Sequence, residues 1–593
     1  MCGIVGYLGT SKNAKYVIDK LKKLEYRGYD SSGIADLTDG KLTIKKAVGK
    51  IANLDNVVGD NMQVTCAIAH TRWATHGVPS ETNAHPHSSV NGEWTIVHNG
   101  IIENYNELKA GLKNKDKLQS ATDTVVVAEL LEERNVTDIN GFIDTCNLLN
   151  GSFAFVAINK SNPNKLFLAR NKSPLYCSFN NGEVLVASDP ICFSGVTEYY
   201  YGLNNGEFAE CSTSGIDFYN SDKNMLHKEE TKLDEIFEDA GKGEYDHFML
   251  KEIMEESVAL NRIVKSYTDN NVFNKFDSSF YEKYKKVEFI GCGTAYHAGL
   301  MGARFIEKIA RIPSCATIAS EFIYMDPIVS KDTLYVFVSQ SGETADTLRA
   351  MELVKERGCD SVAVTNVLYS SLSKAVDYVF PVCAGPEIAV ASTKAYVCQI
   401  AVLYCFATHL KNLKTCENKD YLSEIKALSK VILNIDKTTI EKIADELKSQ
   451  HDCIYIGKDL DYITACEACL KLKEIAYISA SSYPSGELKH GFLALIEEGS
   501  FIFVLANHKS INSKTYNSAN EAISRGAKAV LIGNNTGTEN FKPTYTINLP
   551  DLDELLLPMA SIVPLQYLAY LVSIKKGINP DTPRNLAKSV TVE

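Results

Sequence analysis

Ser339-Gln340-Ser341-Gly342-Glu343-Thr344 places three hydroxyls, an amide and a glycine within six residues. An apolar, β-prone run, Tyr335 to Val338, leads into it, and a helical pattern follows to Ala350. That order is strand, tight polar loop, helix start. The first backbone N–H groups of a helix lack partners and its dipole is positive there, so such a loop suits a phosphate monoester on a small molecule such as a sugar. An ordinary Ser/Thr helix cap is the competing reading, but one cap does not need three hydroxyls.

At the other end of the chain Cys2 follows the initiator Met. Once Met1 is removed, Cys2 carries an α-amine whose ordinary pKa of about 7.7 to 8 allows it to act as base for its own thiol. The runs HTRWATHG (70–77), NAHPH (83–87), IVHNGIIENY (96–105) and SATDT (120–124) supply what amide transfer from a free amino acid requires. Arg72 can pair with a carboxylate, Asp123 can hold an ammonium group, and Asn99 with the Gly100 N–H can form an oxyanion hole. A metal site is disfavoured, because no carboxylate accompanies these histidines at ligand spacing. His85 and His87 flank a proline and read as loop scaffolding.

The elements that must position these groups lie in a chain of 593 residues, too long for one core. Its 61 basic and 73 acidic residues give a net charge of −12, which argues against a nucleic-acid or anionic-membrane partner. MCGIVGYLGTSKNAK lacks the basic start and apolar core of a signal peptide, and no run is read as approaching the ~18 apolar residues of a membrane span. The sixteen cysteines show no secreted framework, and Cys466 with Cys469 has no second pair to complete a zinc site, so reduced thiols in the cytoplasm are expected.

A polar, charged stretch, residues 218–243, reads as a linker, and residues 245–263 read as a helix that docks on the second half. That half is doubled. VEFIGCG (287–293) recurs as CIYIGKD (453–459), YVFVSQ (335–340) as FIFVLA (501–506), and DYVFPV (377–382) as TYTINL (544–549), in the same order and at an almost constant offset. Alternating strands and helices imply two doubly wound α/β subdomains, with the ligand at the carboxyl ends of parallel strands. The second copy's loop, residues 505–508, has lost the hydroxyls, so phosphate binding belongs to the first.

MCGIVGYLG, LEYRGYDSSGIA, HTRWATHG, HNGIIEN, TDT, LARNKSPL and ASDP resemble the class II glutamine amidotransferases, over roughly the first third of the chain. The resemblance implies an α+β N-terminal-nucleophile fold, two stacked antiparallel sheets between helices (αββα). It implies glutamine hydrolysis with Cys2 as nucleophile, Arg72, Thr75, His76 and Asp123 holding the amino acid, and Asn99 and Gly100 stabilising the oxyanion. It also makes Trp73 the gate of an enclosed ammonia passage. A packing role is the alternative for Trp73.

GCGTAYHAGL, SQSGET and GPEIAVASTKAY resemble the sugar isomerase (SIS) domain, which makes Thr294, Ser339, Gln340, Ser341, Thr344, Val390, Ser392 and Lys471 the expected sugar-phosphate contacts. With KLKEIAYI, GELKHG and the tail PRNLAKSVTVE, the whole chain resembles the family of isomerising glutamine:fructose-6-phosphate aminotransferases. The division implied is residues 2–217 glutaminase, 218–243 linker, 244–430 and 431–575 SIS subdomains, and 576–593 catalytic tail. The substrates implied are glutamine and fructose 6-phosphate, at the first committed step of amino-sugar biosynthesis, without metal or organic cofactor. Glu474 would shuttle a proton between sugar carbons, His490 would open the ring, and Lys588 would form a Schiff base, in a homodimer that shares its active site across subunits. Ala295 in place of a usual Ser, the segment SASSYPS, and Phe492 in place of a proline depart from the pattern.

Two rivals remain on the sequence alone: a sugar-phosphate sensor with a relic glutaminase, and an amidotransferase with another acceptor, which the doubled SIS region disfavours. Replacing Ser341 and Thr344 by Ala should raise the KM for fructose 6-phosphate about tenfold or more, at roughly 1.5 to 3 kcal/mol per charge-assisted bond, with sugar-free glutaminase turnover nearly intact. An unchanged sugar-phosphate affinity would reject this role for the loop.

Overall fold

The computed structural model describes residues 2–38, 40–73, 77–233, 241–416, 418–534 and 540–590. Two compact units emerge, one of residues 1–240 with 587–593 and the other of residues 241–586.

The first unit is built on two antiparallel sheets. Gly3–Asn13 and Gln63–Arg72 lie side by side near the middle of an eight-stranded sheet, and Trp94–Ile102 pairs with Gly151–Asn159 in a seven-stranded one. Alternation along each strand decides which face is apolar. Ile4, Leu8, Cys66 and Ile68 of the first sheet meet Val97, Ala154 and Val156 of the second in an apolar interlayer. On the outer face of the second sheet Trp94, Ile96, Phe155 and Phe167 pack against Val127, Leu131, Phe142 and Ile143 of the helices Thr124–Glu133 and Ile139–Cys146. The helices Lys15–Lys22 and Ile51–Val58 pack on the first sheet, which completes the αββα order. Within the stretch read as a linker, Met225–Leu226 pairs with Gly215–Asn220 and Thr231–Lys232 with Tyr199–Gly202, so strand pairing runs on to Lys232.

The second unit holds two five-stranded parallel sheets of the same strand order. Lys286–Gly291 lies between Ser314–Ile318 and Thr333–Ser339, and Asp452–Gly457 lies between Ser479–Pro484 and Phe501–Leu505. The duplication extends to a fine detail. The helix Thr294–Phe305 runs into a π-turn at Ile306–Ala310, and Leu460–Lys471 runs into one at Leu472–Ala476.

Two expectations change. Residues 245–263 form two helices, Phe248–Met254 and Glu256–Asn270, broken at Glu255. Leu557–Lys575 is long and apolar enough to cross a membrane by composition, against the reading that no run approaches this, yet 94% of its apolar window is buried inside the protein. It is hydrophobic all round because protein surrounds it.

Glu256 opens the second of those helices with no exposed surface. Its carboxyl group adjoins the Gln566 side chain, whose Oε1 has no hydrogen-bond partner among the described residues. Burial pushes its pKa well above the ordinary carboxyl range, so the neutral acid is favoured and can donate to Gln566. A folded pKa above the unfolded one means that stability is fully present below about pH 4.3 and is lost as pH rises toward the folded value. Glu256→Gln should therefore unfold at a higher temperature than the wild type at pH 8, with the gap closing toward pH 4.5. A gap independent of pH would contradict the burial of an ionisable acid here.

Candidate active site

In the first unit, alternation carries the interlayer face of three strands to one end of the sandwich. Cys2 shares the face of Ile4, Arg72 that of Ile68, and Asn99 that of Val97. The Trp73 N–H donates to Cys2 Sγ at 3.3 Å, the thiol faces the Trp73 carbonyl at 3.6 Å, and Asn99 Nδ2 donates to the Cys2 carbonyl at 2.9 Å. Burial pushes the Cys2 thiol up, while the Trp73 N–H and the Arg72 guanidinium pull it down. Arg72 is buried at its strand end and donates to the Gly77 carbonyl at 3.3 Å. Burial lowers its pKa, and Cys2, Asp30 and Asp123 oppose that shift. Asp123 accepts from the Ile102 N–H at 2.8 Å.

Gly100 has φ +137°, and a Cβ there would stand 2.0 Å from the Ser152 carbonyl, so only glycine fits. Trp73 is half-buried and meets Tyr29 edge-on at 5.9 Å. Thr75 and His76 lie outside the described residues. His70, His85 and His87 are stacked or edge-packed at 4.1 and 4.5 Å and, with His98, are buried with their pKa values lowered chiefly by burial. Among the described residues no group of three or more His, Cys, Asp or Glu is arranged to hold a metal.

In the second unit the hydroxyl loop follows the strand Thr333–Ser339 and opens the helix Ala345–Glu356. Thr344 sits at the N-cap without a side-chain capping bond, which leaves the simple-cap reading unsupported. Ser339 Oγ accepts from the Gly342 N–H at 3.0 Å and faces Thr344 Oγ1 at 3.3 Å, while Ser341 Oγ accepts from the Glu343 N–H at 3.2 Å. Gly342 has φ +65°, and a Cβ there would lie 2.0 Å from Ser370 Oγ. The Gln340 carbonyl accepts from the Asn366 N–H at 3.2 Å.

Lys471 ties the two copies together. Its Nζ has no exposure and reaches Glu467 at 3.1 Å, Glu474 at 2.8 Å, Thr294 Oγ1 at 3.0 Å and the Ser392 carbonyl at 3.0 Å. Glu467 in turn takes His297 Nδ1 at 2.7 Å and the Thr294 hydroxyl at 3.0 Å. Burial alone would pull Lys471 down and push Glu467 up. Their attraction wins, raising Lys471 above its ordinary value and holding Glu467 below the usual range. Glu474 stands within the π-turn, not in mid-helix as its surroundings imply in the sequence. The loop that presents Ser392 is held by Glu387, which accepts from Ser392 Oγ at 2.9 Å and the Thr393 N–H at 2.9 Å, and the Val390 N–H donates to the Asp581 carbonyl at 3.1 Å. Glu467 and His297 go unnoticed in the sequence reading, although Glu467, Lys471 and Glu474 share a face at i, i+4 and i+7.

His490 ends a short 3-10 helix, Ser485–His490, and is exposed, with no hydrogen bond or ion pair among the described residues. Lys588 is half-buried and belongs to the first unit, whereas Lys471 and Glu474 belong to the second. Phe492 stacks on Tyr483 at 3.6 Å, so two of the departures from the family pattern pack on each other. In the second copy Asp461 fills the place that Ala295 has in the first. It accepts from the Asn507 N–H at 2.9 Å and from Asn507 Nδ2 at 2.7 Å.

Fold and site together define a glutamine amidotransferase joined to a doubled sugar isomerase scaffold. A family model described as glutamine amidotransferase domain matches residues 70–194, and the SIS domain model matches residues 280–409 and 446–576. The glutamine–fructose-6-phosphate aminotransferases (isomerizing) of Caldanaerobacter subterraneus and Clostridium acetobutylicum are 43% and 41% identical to this chain, each covering all of both chains. The solved C-terminal domain of the glucosamine-fructose-6-phosphate aminotransferase from Francisella tularensis matches 58% of this chain and all of its own, with 36% identity and a TM-score of 0.55. The chain belongs to the isomerizing glutamine–fructose-6-phosphate aminotransferase family and is an enzyme.

Lys471→Met should leave Glu467 buried without its charge partner. A loss of about 3 to 5 kcal/mol in urea unfolding followed by far-UV circular dichroism is expected, as for the breaking of a buried pair. A change under about 1 kcal/mol, the size seen for exposed pairs, would mean that the knot is solvated.

Proposed function

We propose that this enzyme transfers the amide nitrogen of glutamine to fructose 6-phosphate and isomerises the product to glucosamine 6-phosphate, releasing glutamate. The observation that carries this reading is the full-length relationship at 41 to 43% identity, with Cys2 and the Lys471–Glu474 pair both present. In this reading the Cys2 thiolate attacks the amide carbon, Asn99 and the Gly100 N–H hold the oxyanion, and ammonia leaves as a thioester forms that water then hydrolyses. Arg72 and Asp123 hold the α-carboxylate and α-ammonium groups, together with Thr75 and His76.

At the sugar site the phosphate sits on the loop of Ser339, Gln340, Ser341 and Thr344 with Thr294, and Val390 and Ser392 line the sugar. His490 opens the ring. The Lys588 amine condenses with the ketone and loses water, and ammonia then displaces the lysine. Glu474, oriented by Lys471, carries a proton between the two adjacent carbons. Residues 2–217 do the glutaminase chemistry and residues 244–430, 431–575 and 576–593 the sugar chemistry, in a cytoplasmic homodimer to which a partner subunit contributes His490.

The test is the ratio of glucosamine 6-phosphate to glutamate formed by the full-length protein, expected near one. Cys2→Ala should abolish use of glutamine yet leave sugar-phosphate isomerisation measurable. With Trp73 as an ammonia gate, Trp73→Ala should keep glutamine hydrolysis and lower the ratio; if both rates fall together at a ratio near one, Trp73 only packs. Glutamate without aminosugar in the wild type would favour the sensor reading.

A further inference from the structure

His70 has no task in the chemistry above, although it stands two residues before Arg72 on the same interlayer face. Its Nε2 lies 2.9 Å from the His98 carbonyl and 3.2 Å from Asn99 Oδ1. A carbonyl oxygen only accepts, so Nε2 must carry the hydrogen. Nδ1 is then bare, and it is buried without a hydrogen-bond partner among the described residues, with the His85 ring stacked against the imidazole at 4.1 Å. Burial pulls the pKa of His70 down to about 3, which keeps the imidazole neutral.

The side-chain amide of Asn99 is thereby pinned from two sides. Its Nδ2 donates to the Cys2 carbonyl, and its Oδ1 shares the single His70 Nε2–H with the His98 carbonyl. A rotated amide would set N–H against N–H at His70 and oxygen against oxygen at Cys2, so neither neighbour tolerates it. We infer that His70 is the positioning residue of the oxyanion hole, its Nε2–H holding the Asn99 oxygen so that the Asn99 amide N–H groups stay turned toward Cys2. The backbone cannot do this by itself, because strand geometry fixes where Asn99 starts but not which end of its amide faces the nucleophile. The inference rests on the reading of Asn99 as an oxyanion donor.

The test is a double-mutant cycle in the full-length protein with His70→Ala, Asn99→Ala and the pair. Glutamate release gives kcat and KM for glutamine. Alkylation of Cys2 by iodoacetamide, a displacement that forms no oxyanion, reports an intact nucleophile. Asn99→Ala should lower kcat about 10² to 10³-fold, as loss of one oxyanion donor does. His70→Ala should lower kcat about tenfold or more with KM changed less than about threefold, and should add less than about twofold when Asn99 is already Ala. His70→Gln, whose amide can still donate, should recover part of the rate. Equal loss of kcat in both backgrounds, or an effect of His70→Ala on KM alone, overturns the inference. If His70→Ala also stops Cys2 alkylation, His70→Gln decides, and failure to retain both alkylation and about a tenth of kcat overturns it. An Asn99→Ala variant with wild-type kcat would instead reject the oxyanion role of Asn99 itself.

Discussion

Burying one ammonium group sets the terms for the second unit. Lys471 has no solvent-exposed surface, so its three hydrogens are met by protein, with Glu467, Glu474, Thr294 and the Ser392 carbonyl as acceptors. Each of these comes from a different turn or segment: the helix that carries Lys471, the π-turn that follows it, the helix Thr294–Phe305 of the other copy, and the loop before the helix Lys394–Thr415. The constraint therefore acts across both sheets. Thr294, Ser392 and Glu474 are thereby tied to one another, because each is bonded to the same buried ammonium group.

The first unit solves its own positioning problem with strand alternation. Two stacked sheets bring Cys2, Arg72 and Asn99 to one rim because each continues an apolar face, and the Trp73 backbone closes on the thiol. Side chains held this way start from a rigid scaffold, so a few hydrogen bonds suffice to select their orientations.

Much of this is visible in the sequence, and what is not has physical reasons. The doubled α/β region shows itself because buried parallel strands are runs of apolar residues, which repeat even where the loops between them have diverged. The hydroxyl loop and the glutamine motifs stand out by residue type alone. Strand pairing up to Lys232 does not, since Met225–Leu226 and Thr231–Lys232 are two-residue edge strands whose polar neighbours read as linker. The π-turns leave no compositional trace, so Glu474 reads as mid-helical, and Glu467 resembles a surface glutamate until its burial is seen. Pro558, Pro564 and Gln566 break up the apolar pattern of Leu557–Lys575, which hid its overall hydrophobicity. The roles proposed for His490 and Lys588 come from the family resemblance, not from spacing.

Duplicated binding folds face a problem of occupancy, since two copies of one cradle invite two ligands. The offset that relates Gly291 to Gly457 and Phe337 to Phe503 also relates Ala295 to Asp461 and Ser341 to Asn507. In the second copy, then, Asp461 bonds the backbone and side chain of Asn507, at the loop position where the first copy carries a serine. The Asn507 N–H groups are thereby already engaged by a carboxyl group of the same chain. In the first copy Ala295 has no polar side chain to make the matching bond, so the two loops differ in what their own chain already engages.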